Sequence, residues 1–196
     1  TSYVINLGSG LNGAAGFMRA QYAPNASNDL VMTDVSHMGA AGAPQPSTVL
    51  ASNIVNIQAQ YGVAPANTSP GSTSPAINCW TDATGSACNS GSGNWASPNA
   101  ADIMRIKAIR LAVVARSPLP EKASPSGVCT TSQHDATDTT LPTNAWRRAW
   151  VNDTTAFPGS TPGPVIDLSD ITNWQCYRYR IYETIIPLRN VVWANI

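Results

Sequence analysis

Near its end the chain reads CYRYRIYETIIPLRNVVW, from Cys176 to Trp193. Over the first half of this stretch, apolar and aromatic residues alternate with arginines, and strict alternation is typical of a β-strand with one buried face. One face would hold Tyr177, Tyr179 and Ile181, and the other Arg178, Arg180 and Tyr182. The stretch therefore predicts a strand of an antiparallel sheet, in a terminal ribbon that begins near Trp174.

Charge is scarce along the chain. The protein has 196 residues, a length typical of one domain, and we expect residues 1–196 to form a single globular domain. Only 11% of the residues are Asp, Glu, Lys or Arg, and the formal net charge is zero. The usual charged fraction of soluble proteins is about 25%. Because phosphate binding needs clustered Lys and Arg, this composition argues against nucleic acid and anionic lipid as partners.

Four cysteines indicate disulfides. They are Cys79, Cys88, Cys129 and Cys176, and their spacing does not match a zinc site. Three pairings are possible, of which we favour Cys79 with Cys88 and Cys129 with Cys176. The chain-entropy relation gives about 2.7 and about 4 kcal/mol for closing these two loops. Oxidised cysteines indicate the periplasm or the cell exterior.

Three further stretches have strand patterns. TSYVINLGSG at the start predicts a short strand that ends in a glycine turn. In TVLASNIVNIQAQYGV, Thr48 to Val63, the apolar spacing fits both a helix and a strand, and β-branched residues favour a strand for the second half. ADIMRIKAIRLAVVARSPLPEK contains a strand that Pro118 and Pro120 end. Its faces would hold Ile109, Leu111, Val113 and Ala115 on one side, and Arg110 and Arg116 on the other.

Two long polar segments separate these strands. They span about residues 64–99 and 123–164 and are rich in Ser, Thr, Asn, Gly and Pro. The first contains Cys79 and Cys88, and the second contains Cys129. We therefore expect disulfide-tied surface excursions from a sheet domain.

A catalytic site is hard to build from these residues. Cys129, His134 and Asp135 could form a nucleophilic cysteine site, but such a cysteine must be free and Cys129 has a favoured disulfide partner. Two acidic pairs are also present, Asp135 with Asp138 and Asp167 with Asp170. Neither pair matches a calcium loop, and Asp is common in turns. We therefore predict a protein without enzymatic activity, bound metal or cofactor.

Aromatic residues and arginines form the candidate interaction surface. It consists of Trp80, Trp95, Trp146, Arg147, Arg148 and Trp150. The stretches Trp146 to Trp150 and Tyr177 to Arg180 interleave aromatic residues with arginines, as platforms that bind single-stranded nucleic acid or glycans do. The alternative is that tyrosines on one sheet face pack in the core while arginines on the other extend to solvent or pair across strands, and the zero net charge favours this alternative.

The terminal ribbon resembles the C-terminus of PilW-like minor pilins of type IV pili. WQCYRYRIYETIIPLRNVVW has the alternating Tyr-Arg strand, Glu-Thr, two aliphatic residues, and Pro-Leu-Arg-Asn before a closing Trp. The matching residues are Tyr177, Arg178, Tyr179, Arg180, Glu183, Pro187, Leu188, Arg189, Asn190 and Trp193. Residues 6–10, 50–63 and 106–122 also resemble the family, in the same order. Together these stretches cover roughly a third of the chain.

The resemblance implies an α+β fold that is mostly β. The expected architecture is a pilin-like head with an antiparallel sheet and long disulfide-tied loops. Members of the family begin with a hydrophobic helix that anchors them in the inner membrane, and this sequence contains no such stretch. We therefore expect the soluble head of a minor pilin, which would reach the membrane only through that helix and would expose part of an apolar sheet face without it.

The resemblance also implies a function. The protein would be a structural subunit that contributes to initiation and assembly of the type IV pilus and its tip complex. Its partners would be other minor pilins, the major pilin and a large tip adhesin. Its location would be the periplasm and inner membrane before assembly, then the extracellular pilus tip of a Gram-negative bacterium. Two alternatives stay open: a tip-located binding module for glycan, protein or DNA, with a role in adhesion, and a J-type pseudopilin of type II secretion.

Overall fold

The computed structural model describes residues 3–9, 17–34, 47–66, 76–89, 94–150, 157 and 159–188. The fold is α+β and mostly β, as predicted. Its strands are β1 (Tyr3–Ser9), β2 (Phe17–Pro24), β3 (Asp29–Asp34), β4 (Ser47–Ser52), β5 (Ile54–Val63), β6 (Cys79–Thr81), β7 (Ile106–Arg116), β8 (Ala145–Arg148), β9 (Val165–Asp167) and β10 (Tyr179–Pro187). The helical segments are α1 (Ala100–Arg105) and a 3₁₀ turn (Trp174–Cys176). Among the described residues no helix is long and apolar enough to cross a membrane.

The first four strands form one antiparallel sheet in the order β1-β2-β3-β4. Its register places Tyr22 opposite Met32 and Pro24 opposite Leu30. Because alternate residues of a strand share a face, these four residues lie on the same face as Ala20, which is fully buried. One face of β2 and β3 is therefore mostly apolar, with Asp34 opposite Ala20 at its end.

A second sheet has the order β10-β7-β5-β6. The backbone N–H of Leu188 donates to the carbonyl of Lys107, and the N–H of Ser117 donates to the carbonyl of Arg178. The start of β7 therefore lies beside the end of β10, so the two strands are antiparallel. Strands β5 and β7 meet in the same way, through bonds from Ala64 to Arg105 and from Arg116 to Asn53.

β7 has the predicted alternation, but the more deeply buried face is the one that carries an arginine. The predicted apolar face, Ile109, Leu111, Val113 and Ala115, is only half-buried. The opposite face buries Arg110, which is 2% exposed, between Ala108 and Ala112. Small neighbours leave room for its long side chain, so charge alone does not decide which face is covered.

β10 also follows its predicted alternation. Tyr179 and Ile181 are half-buried, whereas Arg180 and Tyr182 are exposed. The regular strand starts at Tyr179, five residues after the expected start of the ribbon, because the 3₁₀ turn occupies Trp174–Cys176.

Both long polar segments are tied by disulfides. Cys79 pairs with Cys88 and Cys129 pairs with Cys176, with Cα–Cα distances of 6.1 and 4.8 Å. This is the pairing that the sequence analysis favours. Each segment also contains a short strand, β6 in the first and β8 in the second.

The chain forms two compact units. Unit 1 comprises Thr1–Ile57, Val113–Gln133 and Asp167–Ile181, and unit 2 comprises Gln58–Ala112, His134–Ile166 and Tyr182–Ile196. In unit 2 an apolar cluster forms around Val63, Trp95 and Ile106, against which Tyr61 and Leu188 pack. The expected single domain stays a prediction.

Gly62 allows the closest packing in unit 2. Its register partner on β6 is Trp80, and a methyl group at Gly62 would lie 2.7 Å from the Trp80 ring and 2.8 Å from Cδ1 of Ile77. Trp80 is 3% exposed, so its ring has little room to move. We predict that Gly62→Ala lowers the free energy of unfolding by about 1–3 kcal/mol, as measured by urea denaturation.

Gly85→Ala is the matched control for this variant. A methyl group there would lie 3.5 Å from the nearest atom, the Thr81 hydroxyl, which is ordinary contact. An equal loss of stability in both variants would contradict the packing argument.

Candidate interaction surface

Trp80 and Trp95 lie in the interior of unit 2. Their side chains are 3% and 2% exposed, so the expectation that both rings belong to an interaction surface is wrong. The disulfide-tied segment folds back on itself, because the Trp95 N–H donates to the carbonyl of Gly85 and its indole N–H donates to the carbonyl of Ala87 at 2.7 Å. The Trp95 ring then meets Tyr61 edge-on, with ring centres 6.2 Å apart.

Arg110 lies between two tryptophan rings. Its guanidinium carbon is 4.6 Å from the centre of the Trp80 ring and 4.3 Å from that of Trp150. A cation over an aromatic face is attracted by the ring quadrupole, and by more when water is excluded. We call Arg110, Trp80, Trp150 and Gln60 the arginine sandwich.

Gln60 supplies the polar contacts of the arginine sandwich. Its Oε1 accepts hydrogen bonds from Nε of Arg110 at 2.9 Å and from Nη2 of the same side chain. Its Nε2 donates to Asp82 at 2.7 Å and to the carbonyl of Pro162 at 3.4 Å. Gln60 is 1% exposed, so this chain of hydrogen bonds is enclosed and it orients the guanidinium.

Sequence reasoning did not find the arginine sandwich. Its members come from β5, β6, β7 and the turn after β8, and they share no motif. The available signal was a single arginine, Arg110, inside the apolar run AIRLAVVA. A charge at that position indicates a buried partner, but the sequence does not say which one.

The stretch from Trp146 to Trp150 lies on β8 and the turn that follows. The carbonyl of Trp146 accepts from the N–H of Asp135 at 2.8 Å, and the carbonyl of Ala145 accepts from Nδ1 of His134 at 2.7 Å. Because a carbonyl only accepts, Nδ1 of His134 is the donor in this hydrogen bond. These bonds hold residues 134–135 beside β8.

The four remaining surface candidates are all half-buried, and two of them make specific contacts within unit 2. Arg148 donates to Asp138 at 2.8 Å and to the carbonyl of Gly163 at 2.9 Å, and Trp150 covers Arg110. Trp146 and Arg147 are half-buried, and the Arg147 guanidinium lies 5.9 Å from the Trp146 ring centre. Of the six residues of the predicted surface, Trp80 and Trp95 are thus buried, and the other four are half-buried.

The acidic residues near β8 form turns, as their sequence context predicts. Asp135 accepts from the N–H and hydroxyl of Thr137, and Asp138 accepts in the same way from Thr140. The hydroxyl and N–H of Thr137 hold the pKa of Asp135 below its usual value, and those of Thr140 do the same for Asp138. Both carboxylates are therefore occupied by their own loop.

The candidate nucleophile has no thiol. Cys129 is bonded to Cys176, and Nδ1 of His134 donates a hydrogen bond to the carbonyl of Ala145. Within the described ranges, no cluster of three or more His, Cys, Asp or Glu side chains could hold a metal ion. The local geometry thus offers turns and packing contacts.

Comparison with known protein families matches residues 16–190 to the family described as type IV pilus-assembly protein W. The match covers most of the chain, including every element from β2 to β10. The chain belongs to the type IV pilus-assembly protein W family. Searches of curated proteins and of solved structures gave no match. Membership associates the chain with type IV pilus assembly and with the cell envelope or the pilus.

The C-terminal motif of this PilW family member spans the 3₁₀ turn, β10 and the residues after it. Tyr177 stacks under the guanidinium of Arg116 at 4.5 Å, and the exposed Arg178 pairs with Glu121 at 2.9 Å. The Tyr179 hydroxyl donates to the carbonyl of Trp174, and burial raises its pKa to about 12. Other motif residues have these positions: Arg180, Glu183 and Pro187 are exposed on β10, Leu188 is half-buried, and Arg189, Asn190 and Trp193 lie outside the described residues.

Replacing Arg110 with an uncharged residue tests how much the arginine sandwich stabilises this PilW family chain. Arg110→Met keeps the length of the side chain but leaves Oε1 of Gln60 buried without these donors. We predict a loss of about 2–4 kcal/mol in the free energy of unfolding, as measured by urea denaturation. Arg178→Met is the control, because this side chain is 73% exposed and its ion pair contributes less than about 1 kcal/mol. Equal losses would refute the special role of Arg110.

Acid should weaken the loop that Asp138 organises. The folded-state pKa of this carboxyl lies below its ordinary value of 3.8, so its contribution to stability is present above that value and is lost as pH falls through the folded pKa. We predict that Asp138→Asn, which cannot titrate, loses less stability than the wild type between about pH 5 and about pH 2. Urea denaturation across this range measures the slope, and identical slopes would remove Asp138 as a cause.

Proposed function

We propose that this chain is the head of a minor pilin, a non-catalytic structural subunit that contributes to initiation and assembly of the type IV pilus and to its tip complex. The family match over residues 16–190 carries the proposal. It covers the second sheet and both disulfides, so the resemblance concerns the body of the fold rather than one motif.

The use of the chemically reactive side chains supports a structural role. Among the described residues no cysteine is free, and the polar network around Arg110 is enclosed between aromatic rings. The His134 ring and the neighbouring carboxylates serve their own turns. Side chains that would be needed for catalysis are thus committed to holding loops in place.

Exposed apolar side chains support assembly with other proteins. In unit 1 they are Val49, Leu50, Leu119 and Val128, and in unit 2 they are Ile103, Met104, Tyr182, Ile185 and Ile186. Several are neighbours in sequence, and adjacent exposed apolar residues are typical of surfaces that contact other proteins.

The proposed partners are other minor pilins, the major pilin and a large tip adhesin. The proposed location is the periplasm and inner membrane before assembly, and the pilus tip of a Gram-negative bacterium afterwards. Contact with the membrane would be made through the hydrophobic N-terminal helix that the family resemblance implies. A net charge of zero supports protein rather than nucleic acid partners.

The binding-module alternative has lost most of its residues. Trp80 and Trp95 are buried, while Arg148 and Trp150 make contacts inside unit 2. A ligand would have to use the half-buried stretch from Trp146 to Trp150. The J-type pseudopilin alternative is disfavoured by the match to a pilus-assembly family.

Gene deletion distinguishes the three functions. We predict that deletion sharply reduces the number of surface pili counted by electron microscopy, and that the wild-type gene restores them, because an initiating subunit acts before elongation. Normal pili with lost attachment to cells or surfaces would instead favour the binding module. Normal pili with lost type II secretion would favour the pseudopilin.

Complementation with Gly85→Ala provides a control for the deletion. The added methyl group makes only ordinary contacts, so this variant should restore piliation as the wild type does. Cross-linking of the full-length protein in cells to other minor pilins measures the proposed partners directly. An abundant, stable protein with no such cross-links and unchanged pili would refute the proposal.

A further inference from the structure

Strand pairing fixes the position of Cys79 beside the end of β5. Its register partner is Val63, and the N–H of the preceding residue, Asn78, donates to the Val63 carbonyl at 3.0 Å. Cys79 is 5% exposed. These contacts are made by backbone groups of a sheet, and the sulfur atom takes no part in them.

Arg105 joins Cys88 to the same end of β5. Its Nη2 donates to the carbonyl of Cys88 at 2.7 Å, and its Nε donates to the carbonyl of Ala64 at 3.0 Å. Ala64 directly follows Val63, and its own N–H donates to the Arg105 carbonyl at 2.9 Å. Both cysteines are thus held against two consecutive residues, through hydrogen bonds that do not involve sulfur.

A buried carboxylate orients the Arg105 side chain. Nη1 of Arg105 donates at 2.7 Å to Oδ1 of Asp102, which lies one turn earlier in α1 and is fully buried. Asn99 holds Asp102 in turn, because its side chain accepts from the Asp102 N–H and donates to Oδ2. The fixed fork of a guanidinium can make the bonds to Asp102, Ala64 and Cys88 at once, whereas a single amine cannot reproduce that geometry.

Trp95 holds two further residues of the disulfide-closed loop. Its N–H donates to the carbonyl of Gly85 at 2.9 Å, and its indole N–H donates to the carbonyl of Ala87 at 2.7 Å. Cys88 packs against the same apolar cluster as the Trp95 ring. Cys88 also has a φ of 63°, in the left-handed region that residues with a Cβ rarely adopt. Contacts are needed to maintain such a conformation, and the bond from Arg105 is one of them.

We propose that Arg105 is a positioning residue for the Cys79–Cys88 disulfide: it holds Cys88 beside Cys79 in the reduced chain, so that the bond closes within a loop that is already formed. The contacts of Arg105 and Trp95 raise the effective concentration of one thiol near the other. By thermodynamic linkage, contacts that bring the two sulfur atoms together also make the disulfide harder to reduce. The same contacts select this pairing over pairing with either of the other two cysteines.

The oxidation itself is a thiol–disulfide exchange with an external disulfide such as oxidised glutathione. One cysteine thiolate attacks a sulfur of the oxidant, which gives a mixed disulfide and releases one glutathione thiolate. The second cysteine thiolate attacks the protein sulfur of the mixed disulfide and releases the second glutathione. The cysteine pair loses two electrons and two protons, and the oxidant is reduced to two glutathione thiols. The second step needs the two cysteines to meet, so it is the step that Arg105 favours.

Equilibration with glutathione tests the proposal. We define the glutathione ratio as the squared concentration of reduced glutathione divided by the concentration of oxidised glutathione. Arg105→Lys keeps a cation in α1 but loses the fork that reaches the Cys88 carbonyl. We expect the ratio at which half of Cys79–Cys88 is reduced to fall about tenfold, which is a rise of about 30 mV in reduction potential. Alkylation of free thiols and mass spectrometry measure each disulfide separately, and Cys129–Cys176 in unit 1 should keep its ratio.

Arg148→Lys is the matched control. Arg148 is a half-buried arginine of the same unit, and it too pairs with an aspartate and donates to a backbone carbonyl, but its partners are Asp138 and Gly163. We expect this variant to leave the ratio for Cys79–Cys88 unchanged. The proposal would be overturned by an unchanged ratio in Arg105→Lys, by an equal shift in the two variants, or by an equal shift of both disulfides in Arg105→Lys.

A second measurement does not use the redox equilibrium. In the double variant Cys79→Ser with Cys88→Ser the loop has no covalent closure, so its order must come from the noncovalent contacts. We expect the Trp95 amide, which donates to Gly85, to exchange with solvent about tenfold or more slowly than in the urea-unfolded chain, and Arg105→Lys to remove most of this protection. Hydrogen exchange followed by NMR measures both. Unprotected exchange, failure of the double variant to fold, or protection that Arg105→Lys leaves unchanged would overturn the proposal.

Discussion

The enclosure of one guanidinium organises unit 2. Taking a charge out of water costs several kcal/mol, so Arg110 is stable inside only because its partners recover that cost. Two tryptophan rings contribute about 2 kcal/mol each where water is excluded, and hydrogen bonds from a charged donor contribute about 1.5–3 kcal/mol. Burial of Arg110 therefore also depends on how its partners are held. The Trp80 ring packs against Gly62, Trp150 lies over the Arg110 side chain of β7, and Gln60 donates to Asp82.

Because charged residues are scarce, hydrogen bonds from Asp, Asn and Thr side chains hold the loops in place. Turns around β8 are held by Asp and Thr side chains that bond to the nearby backbone, and α1 begins where Asn99 caps the N–H of Asp102. Disulfides limit the conformational freedom of the same segments in the unfolded chain. In unit 1 the Cys129–Cys176 disulfide ties the start of the second polar segment to the residues before β10. The Ser132 hydroxyl, three residues after Cys129, also donates to the carbonyl of Tyr177. The long polar segments are thus held in one conformation although they have no large apolar core of their own.

A structural subunit needs both a stable interior and surfaces that bind other subunits. The aromatic residues that looked suited to binding are used for the interior, because their large surfaces stabilise most when buried. The proposed contacts with other subunits would then be made by side chains that the fold leaves exposed, such as Ile185 and Ile186 on β10.

Local periodicity by itself determined the strands at β1, β7 and β10 and the second half of the Thr48–Val63 stretch, and short loop closure together with strand position indicated the disulfide pairing. The sequence did not predict α1, since a six-residue helix depends on its cap and on the ion pair between the buried Asp102 and Arg105. Nor did it predict which face of β7 is buried. Only the tertiary structure decided that, because the groups that make burial of Arg110 favourable come from β5, β6 and the turn after β8. Periodicity reports that a strand has two faces, but the energy of each face depends on residues that lie far away in the sequence.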